Sequence, residues 1–139
     1  MAQHRIVLIE DNDADVWLLR ECLESVASNH EIITLKDGEA ALRFIDEERE
    51  GIEPRPCVIV IDLHLPTHDG LEILAAIRRT PALEHVTALI VSTTPSPEKK
   101  RQISEYCIDY AEKPKTYEGY QDLANRVWEL CEAKSGMTV

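Results

Sequence analysis

Short apolar runs and longer helical stripes alternate along this chain. Ile6-Val7-Leu8-Ile9 is a compact β-branched run that stops at Glu10-Asp11. Over 14–26, Val16, Leu19, Leu23 and Val26 keep helical spacing, and Asp13 is placed to cap that helix. Residues 32–35 form a weaker strand, 38–45 a helix, and the charged stretch 46–56, which ends with two prolines, a helix end and loop. Cys57-Val58-Ile59-Val60-Ile61 is the most apolar strand. It lacks polar alternation, so it belongs in the middle of a parallel sheet, buried on both faces, and it ends at Asp62.

The second half repeats the rhythm. Leu71, Leu74 and Ile77 give a helix its inner stripe, and Ala88-Leu89-Ile90-Val91 is a strand ending at Ser92-Thr93-Thr94. A polar helix over 97–106, a short strand over 108–111 ending at Lys113-Pro114, and a last helix marked by Tyr120, Leu123, Val127 and Leu130 follow. The pattern is β-α five times over, without internal repeat or low-complexity segment. Alternating βα units predict an α/β domain: a doubly wound parallel sheet with right-handed crossovers and helices on both faces. Ligands of such sheets bind off the carboxyl ends of the strands, where the strand order reverses.

The polar residues fall there. The strands end in Glu10-Asp11, Asp62, Ser92-Thr93 and Lys113. If those strands are neighbours, three carboxylates, two hydroxyls and one ammonium share a crevice. The excess negative charge calls for raised pKa values, water or a hard cation, and carboxylate oxygens suit Mg²⁺. A magnesium site beside a lysine and a hydroxyl is suited to a phosphoryl group, which one of the carboxylates could accept as an acyl phosphate. Composition does not choose the nucleophile among Glu10, Asp11 and Asp62. The segment after Asp62 favours it, because Pro66 and Asp69-Gly70 mark a tight loop that can bring backbone N–H groups to an oxyanion.

In this set of motifs the chain resembles the receiver domain of two-component response regulators, the CheY-like family. The resemblance rests on Ile9-Glu10-Asp11-Asn12, on Asp62-Leu63-His64-Leu65-Pro66 followed by Asp69-Gly70, on Ser92 and on Lys113-Pro114. Ser92 lies 30 residues past Asp62 and Lys113 lies 51 past it. The match covers residues 4–132, the expected domain, leaving 133–139 as a short tail. The resemblance implies a five-stranded flavodoxin-like sheet in strand order 2-1-3-4-5. It implies Asp62 as phosphoacceptor, and Glu10, Asp11, Asp62 and the His64 backbone carbonyl as Mg²⁺ ligands. Lys113, Ser92 and the Thr93 backbone would bind the phosphoryl group, and Ser92 and Tyr110 would be the switch pair. Glu at 10 and Ser at 92 depart from the commoner Asp and Thr, and the usual Gly-Ala before Tyr110 is missing. The phrase Glu10-Asp11-Asn12, with Ala14-Asp15-Val16, and the long loop before the third strand look most like the phytochrome-associated, stand-alone regulators.

The implied function is phosphoryl acceptance from a sensor histidine kinase or phosphotransfer protein. Output would come through protein contacts or a homodimer on the helix 4–strand 5–helix 5 face, since the chain ends soon after the last helix. The implied protein is a signalling domain rather than an enzyme, apart from self-phosphotransfer and autodephosphorylation. Two rivals stand beside this reading: a degenerate receiver that never carries phosphate, and an aspartyl-phosphate phosphohydrolase. The latter usually needs a second aspartate two residues past the nucleophile, where this chain has His64.

Bulk properties narrow the field. A net charge of -11 argues against nucleic acid and anionic membranes as partners. The absence of a signal-peptide pattern or a long apolar stretch points to a cytoplasmic protein. Cys22, Cys57, Cys107 and Cys131 lack zinc spacing and read as free thiols in a reducing compartment. His64 and His68 read as exposed loop residues. Trp17 falls between the apolar positions of its helix, where a contact surface and simple packing are about equally expected.

Overall fold

The computed structural model describes residues 4–48, 55–106 and 109–136, with side chains to 133. In order, the elements are β1 (His4–Ile9), α1 (Asp13–Val26), β2 (His30–Leu35), α2 (Gly38–Glu48), β3 (Pro56–Asp62), α3 (Gly70–Arg79), β4 (Thr87–Ser92), α4 (Pro97–Glu105), β5 (Asp109–Glu112) and α5 (Tyr117–Gly136). The strands form one parallel sheet in the order β2-β1-β3-β4-β5, as the βα alternation and the family resemblance predict.

Every residue of β3 is buried. Its period-two alternation feeds two cores, because successive side chains of a strand face opposite sides. Ile59 and Ile61 join Val7, Ile9, Phe44, Leu74, Ile77 and Ile90 on the face covered by α2 and α3. Val58 and Val60 join Ile6, Leu8, Leu23, Leu89, Leu123 and Val127 on the face covered by α1 and α5. Burial of this kind contributes roughly 25 cal/mol per Å² of apolar surface, so β3, apolar on both sides, is the natural keel of the sheet.

Three details differ from expectation. Asn12, not Asp13, caps α1: its side chain accepts a hydrogen bond from the Asp15 N–H, and Asp13 is already helical. Both residue types cap well, and the extended backbone at Asn12 decides between them. Second, the free-thiol reading fails for Cys57 and Cys131, which are joined in a disulfide with Cα atoms 4.9 Å apart. Packing α5 across the start of β3 brings two cysteines 74 residues apart into bonding reach. Cys22 is free and buried, and Cys107 lies outside the described residues. Third, α5 continues to Gly136, past the expected domain edge at residue 132. Residue 108, assigned to the fifth strand from sequence, and most of the loop before β3 also lie outside the described residues. Trp17 is 60% exposed, whereas Trp128 is buried, its ring nearly perpendicular to that of His4.

Candidate functional site

The strand order reverses between β1 and β3, whose carboxyl ends present Glu10-Asp11 and Asp62 side by side. Beyond the last paired residues the chain still follows the ladder. The Leu63 N–H donates to the Val91 carbonyl at 3.3 Å, and the Lys113 N–H donates to the Ser92 carbonyl at 2.7 Å. Backbone pairing therefore aims Lys113 back across the ends of β4 and β3.

The loop after Asp62 is closed tightly. The Gly70 N–H donates to the Leu63 carbonyl at 2.9 Å, and His64 bridges to Asp69. A Cβ on Gly70 would lie 2.5 Å from the Asp62 carbonyl oxygen, so only glycine permits this approach. Asp69 caps α3 by accepting from the Leu71 N–H at 2.9 Å, and its other oxygen pairs with Lys99 of α4. The His64 N–H donates to Asp62 Oδ1 at 3.2 Å. Asp62 thus has one oxygen fixed by the backbone and one facing the crevice.

Lys113 Nζ lies 2.8 Å from Glu10 Oε1, 3.0 Å from Asp15 Oδ2 and 3.6 Å from Asp62 Oδ2. Carboxylate oxygens of Glu10, Asp11 and Asp62 lie within 4.8 Å of one another. Three carboxylates therefore surround one ammonium, and a fourth, Asp11, lies beside Glu10 and Asp62. The imbalance shows in the titration. Burial, and then a hydrogen bond shared with Asp62, push the Glu10 carboxyl up to about 9 against the pull of Lys113. Burial also opposes ionisation of Asp15, but hydrogen bonds from Lys113 and Tyr120 outweigh it and hold that carboxyl below its usual value. Lys113 is raised in turn, because its partners Glu10 and Asp15 outweigh the cost of burial.

The oxygen-only donor set of Glu10, Asp11 and Asp62 fits a hard divalent cation. Its charge is in excess, and Asp11 is exposed and open to water. Ser92 is fully buried and donates its Oγ–H to the Thr93 carbonyl at 2.8 Å. Tyr110, half-buried against the α2–α3 core, has a buried hydroxyl without a hydrogen-bond partner among the described residues. His64 and Thr93 are exposed.

Two residues of this network were not singled out from sequence. Asp15 reaches Lys113 from the first turn of α1, and the Tyr120 hydroxyl of α5 donates to Asp15 Oδ1 at 2.9 Å. Asp15 is one of two acidic residues in the first turn of α1, the turn that follows the Glu10-Asp11 strand end. Tyr120 looked like a member of an apolar stripe, and nothing local marks its hydroxyl.

Known proteins resemble this chain in sequence and in fold. Over 128 residues the chain is 32% identical to the probable methanogenesis regulatory protein FilR2 of Methanothrix harundinacea, covering 91% of this chain and 81% of that protein. It is 40% identical over 90 residues to response regulator Rcp1 of Synechocystis sp., an alignment spanning 64% of this chain and 61% of Rcp1. Among solved structures, the phosphorylated cyanobacterial phytochrome response regulator RcpA superposes with a TM-score of 0.83 at 28% identity, covering 95% of this chain and 96% of that one. The Mn²⁺-bound form of Rcp1 superposes with a TM-score of 0.76 at 33% identity, covering 98% of this chain and 96% of that one. Residues 6–123 match the family model of the response regulator receiver domain, and the chain belongs to that family.

Proposed function

We propose that Asp62 accepts a phosphoryl group from the phospho-histidine of a sensor kinase or phosphotransfer protein. The observation that carries this reading is the convergence of the crevice-facing Asp62 oxygen with Lys113 and the oxygens of Glu10 and Asp11 at the carboxyl ends of β1, β3 and β5. Asp62 Oδ attacks phosphorus in line, and the O–P bond forms as the donor's P–N bond breaks. The bonding pair returns to that imidazole nitrogen as its lone pair, and the proton on the other ring nitrogen lets the donor leave as neutral imidazole. Glu10, Asp11, Asp62 and the His64 carbonyl would hold Mg²⁺, which when bound neutralises phosphoryl charge. Lys113 and the Thr93 N–H bind phosphoryl oxygens.

The acyl phosphate carries close to two negative charges. To reach it, the Ser92 hydroxyl gives up its bond to the Thr93 carbonyl. Tyr110, whose hydroxyl has no partner to lose among the described residues, moves into the space vacated. The face formed by α4, β5 and α5 repacks, and partners that prefer the new face select it. The likeness to RcpA, a cyanobacterial phytochrome response regulator, supports a phytochrome as the donor kinase. Among the described residues, no helix is long and apolar enough to cross a membrane.

The test is incubation with acetyl phosphate and Mg²⁺, read by intact mass. Wild type gains one phosphoryl group and Asp62→Asn gains none. Equal labelling of both would sink the assignment. A protein that neither takes label nor responds to beryllofluoride with Mg²⁺ is a degenerate receiver.

A further inference from the structure

The proposed reaction needs Lys113 at the phosphoryl group, yet its ammonium sits closer to Glu10 and Asp15 than to Asp62. An ammonium has three N–H donors. Glu10 and Asp15 lie at hydrogen-bonding distance, 2.8 and 3.0 Å, while Asp62 lies at 3.6 Å. Glu10 belongs to the metal-binding end of the crevice; Asp15 does not. Asp15 is also fixed in place. Its backbone N–H is tied to the Asn12 cap at 3.0 Å, and its second oxygen accepts from the Tyr120 hydroxyl at 2.9 Å. A carboxylate in the first turn of a helix is further favoured by the positive end of the helix dipole.

We propose that Asp15 is a positioning residue that holds Lys113 off Asp62 before phosphorylation and passes the release of that lysine through Tyr120 to α5. The inference rests on the phosphoacceptor reading of Asp62. A phosphoryl group there outbids the single charge of Asp15, and Lys113 swings to it. A cavity of about 30 Å³, lined by Asp15, Asp62, Lys113 and Tyr120 among others, gives the side chain room to move without repacking the core. Asp15 then keeps Tyr120 as its remaining donor. Tyr120 is 5% exposed and stands in the first turns of α5, against α1, so its hydroxyl cannot exchange Asp15 freely for water. The first turns of α5 follow the change. This route runs through the α1–α5 side of the sheet, whereas Ser92 and Tyr110 act toward α4 and β5.

The two links give opposite signs. In Asp15→Asn the lysine loses a competitor, and acetyl phosphate with Mg²⁺ labels Asp62 roughly two- to five-fold faster, the span set by partly exposed ion pairs. In Tyr120→Phe, Asp15 loses a donor and holds Lys113 more tightly, so labelling slows by a similar factor. A merely structural role would slow both. The second readout is amide NMR with beryllofluoride and Mg²⁺: wild type shows shifts in the first two turns of α5, and both variants lose them while keeping the shifts around Asp62. Thermal unfolding identifies any variant that has lost its fold, and Asp15→Glu, which restores the carboxylate, then replaces it and should return toward the wild-type rate. Labelling of wild type with Asp15→Asn no faster, or α5 shifts that persist in both variants, overturns the inference alone. Failure of wild type to take label overturns the phosphoacceptor reading beneath it.

Discussion

The two ends of this sheet are built from similar residue types and reach opposite electrostatic outcomes. At the amino ends of the strands, Arg5 pairs with Glu48 at 2.6 Å and Glu31 at 3.6 Å and lies over the Phe44 ring. His4 and Trp128 meet in a T-shaped ring contact, and a disulfide ties β3 to α5. The buried Glu48 carboxylate there has a guanidinium partner in Arg5 through Oε1, while its Oε2 has no hydrogen-bond partner among the described residues. At the carboxyl ends three carboxylates share Lys113, and burial, followed by the hydrogen bond with Asp62, pushes the Glu10 carboxyl far above its usual range. A fold that gives its buried carboxylate a guanidinium at one end and crowds three carboxylates on one ammonium at the other marks the second end as the place where something binds. Perturbed groups in a crevice are a physical pointer to function because holding them costs stability.

Four measurements break or sharpen that contrast. The largest effect is expected at the balanced end. Arg5→Ala strands Glu48, 4% exposed, without its partner and should cost ~3–5 kcal/mol in urea unfolding. A loss within the error of extrapolation would mean that the amino end is not held by this pair. Next, Cys131→Ser removes the constraint on a loop of 74 residues and should cost ~2–4 kcal/mol, with a matching effect of reductant on wild type. Indifference to reductant would show that the thiols are free in solution.

Gly70→Ala forces the Asp62 carbonyl aside and should cost about 1–3 kcal/mol. Its labelling by acetyl phosphate should fall as well, since the loop that fixes one Asp62 oxygen must open. Normal labelling would separate the loop from the site. The smallest effect belongs to the unbalanced end. Mg²⁺ at about five times its dissociation constant should raise wild-type stability by about 1 kcal/mol. Asp11→Asn should lose that increment, while Arg5→Ala keeps it on a lower baseline. An increment unchanged in Asp11→Asn would place the cation elsewhere.

Much of this was legible in the order of residues. The uniform burial of β3 follows from five consecutive apolar positions, and the succession of βα units dictates a parallel sheet. Glu10, Asp11, Asp62, Ser92 and Lys113 could be found because each ends a strand, and in such a sheet all strand ends of one polarity lie on one edge. What stayed hidden has a common cause. The choice of Asn12 over Asp13 as cap, the Cys57–Cys131 bond, the exposure of Trp17 and the link from Lys113 through Asp15 to Tyr120 depend on how helices sit against the sheet and each other.

The sequence by itself therefore determined the elements, their parallel pairing and the edge on which the carboxylates and the lysine gather, because hydrophobic period and strand polarity are local properties. Only the tertiary structure decided which carboxylate holds the lysine. That choice turns on differences of less than an ångström between Glu10, Asp15 and Asp62, set by the packing of α1 and α5 around residues distant in the chain.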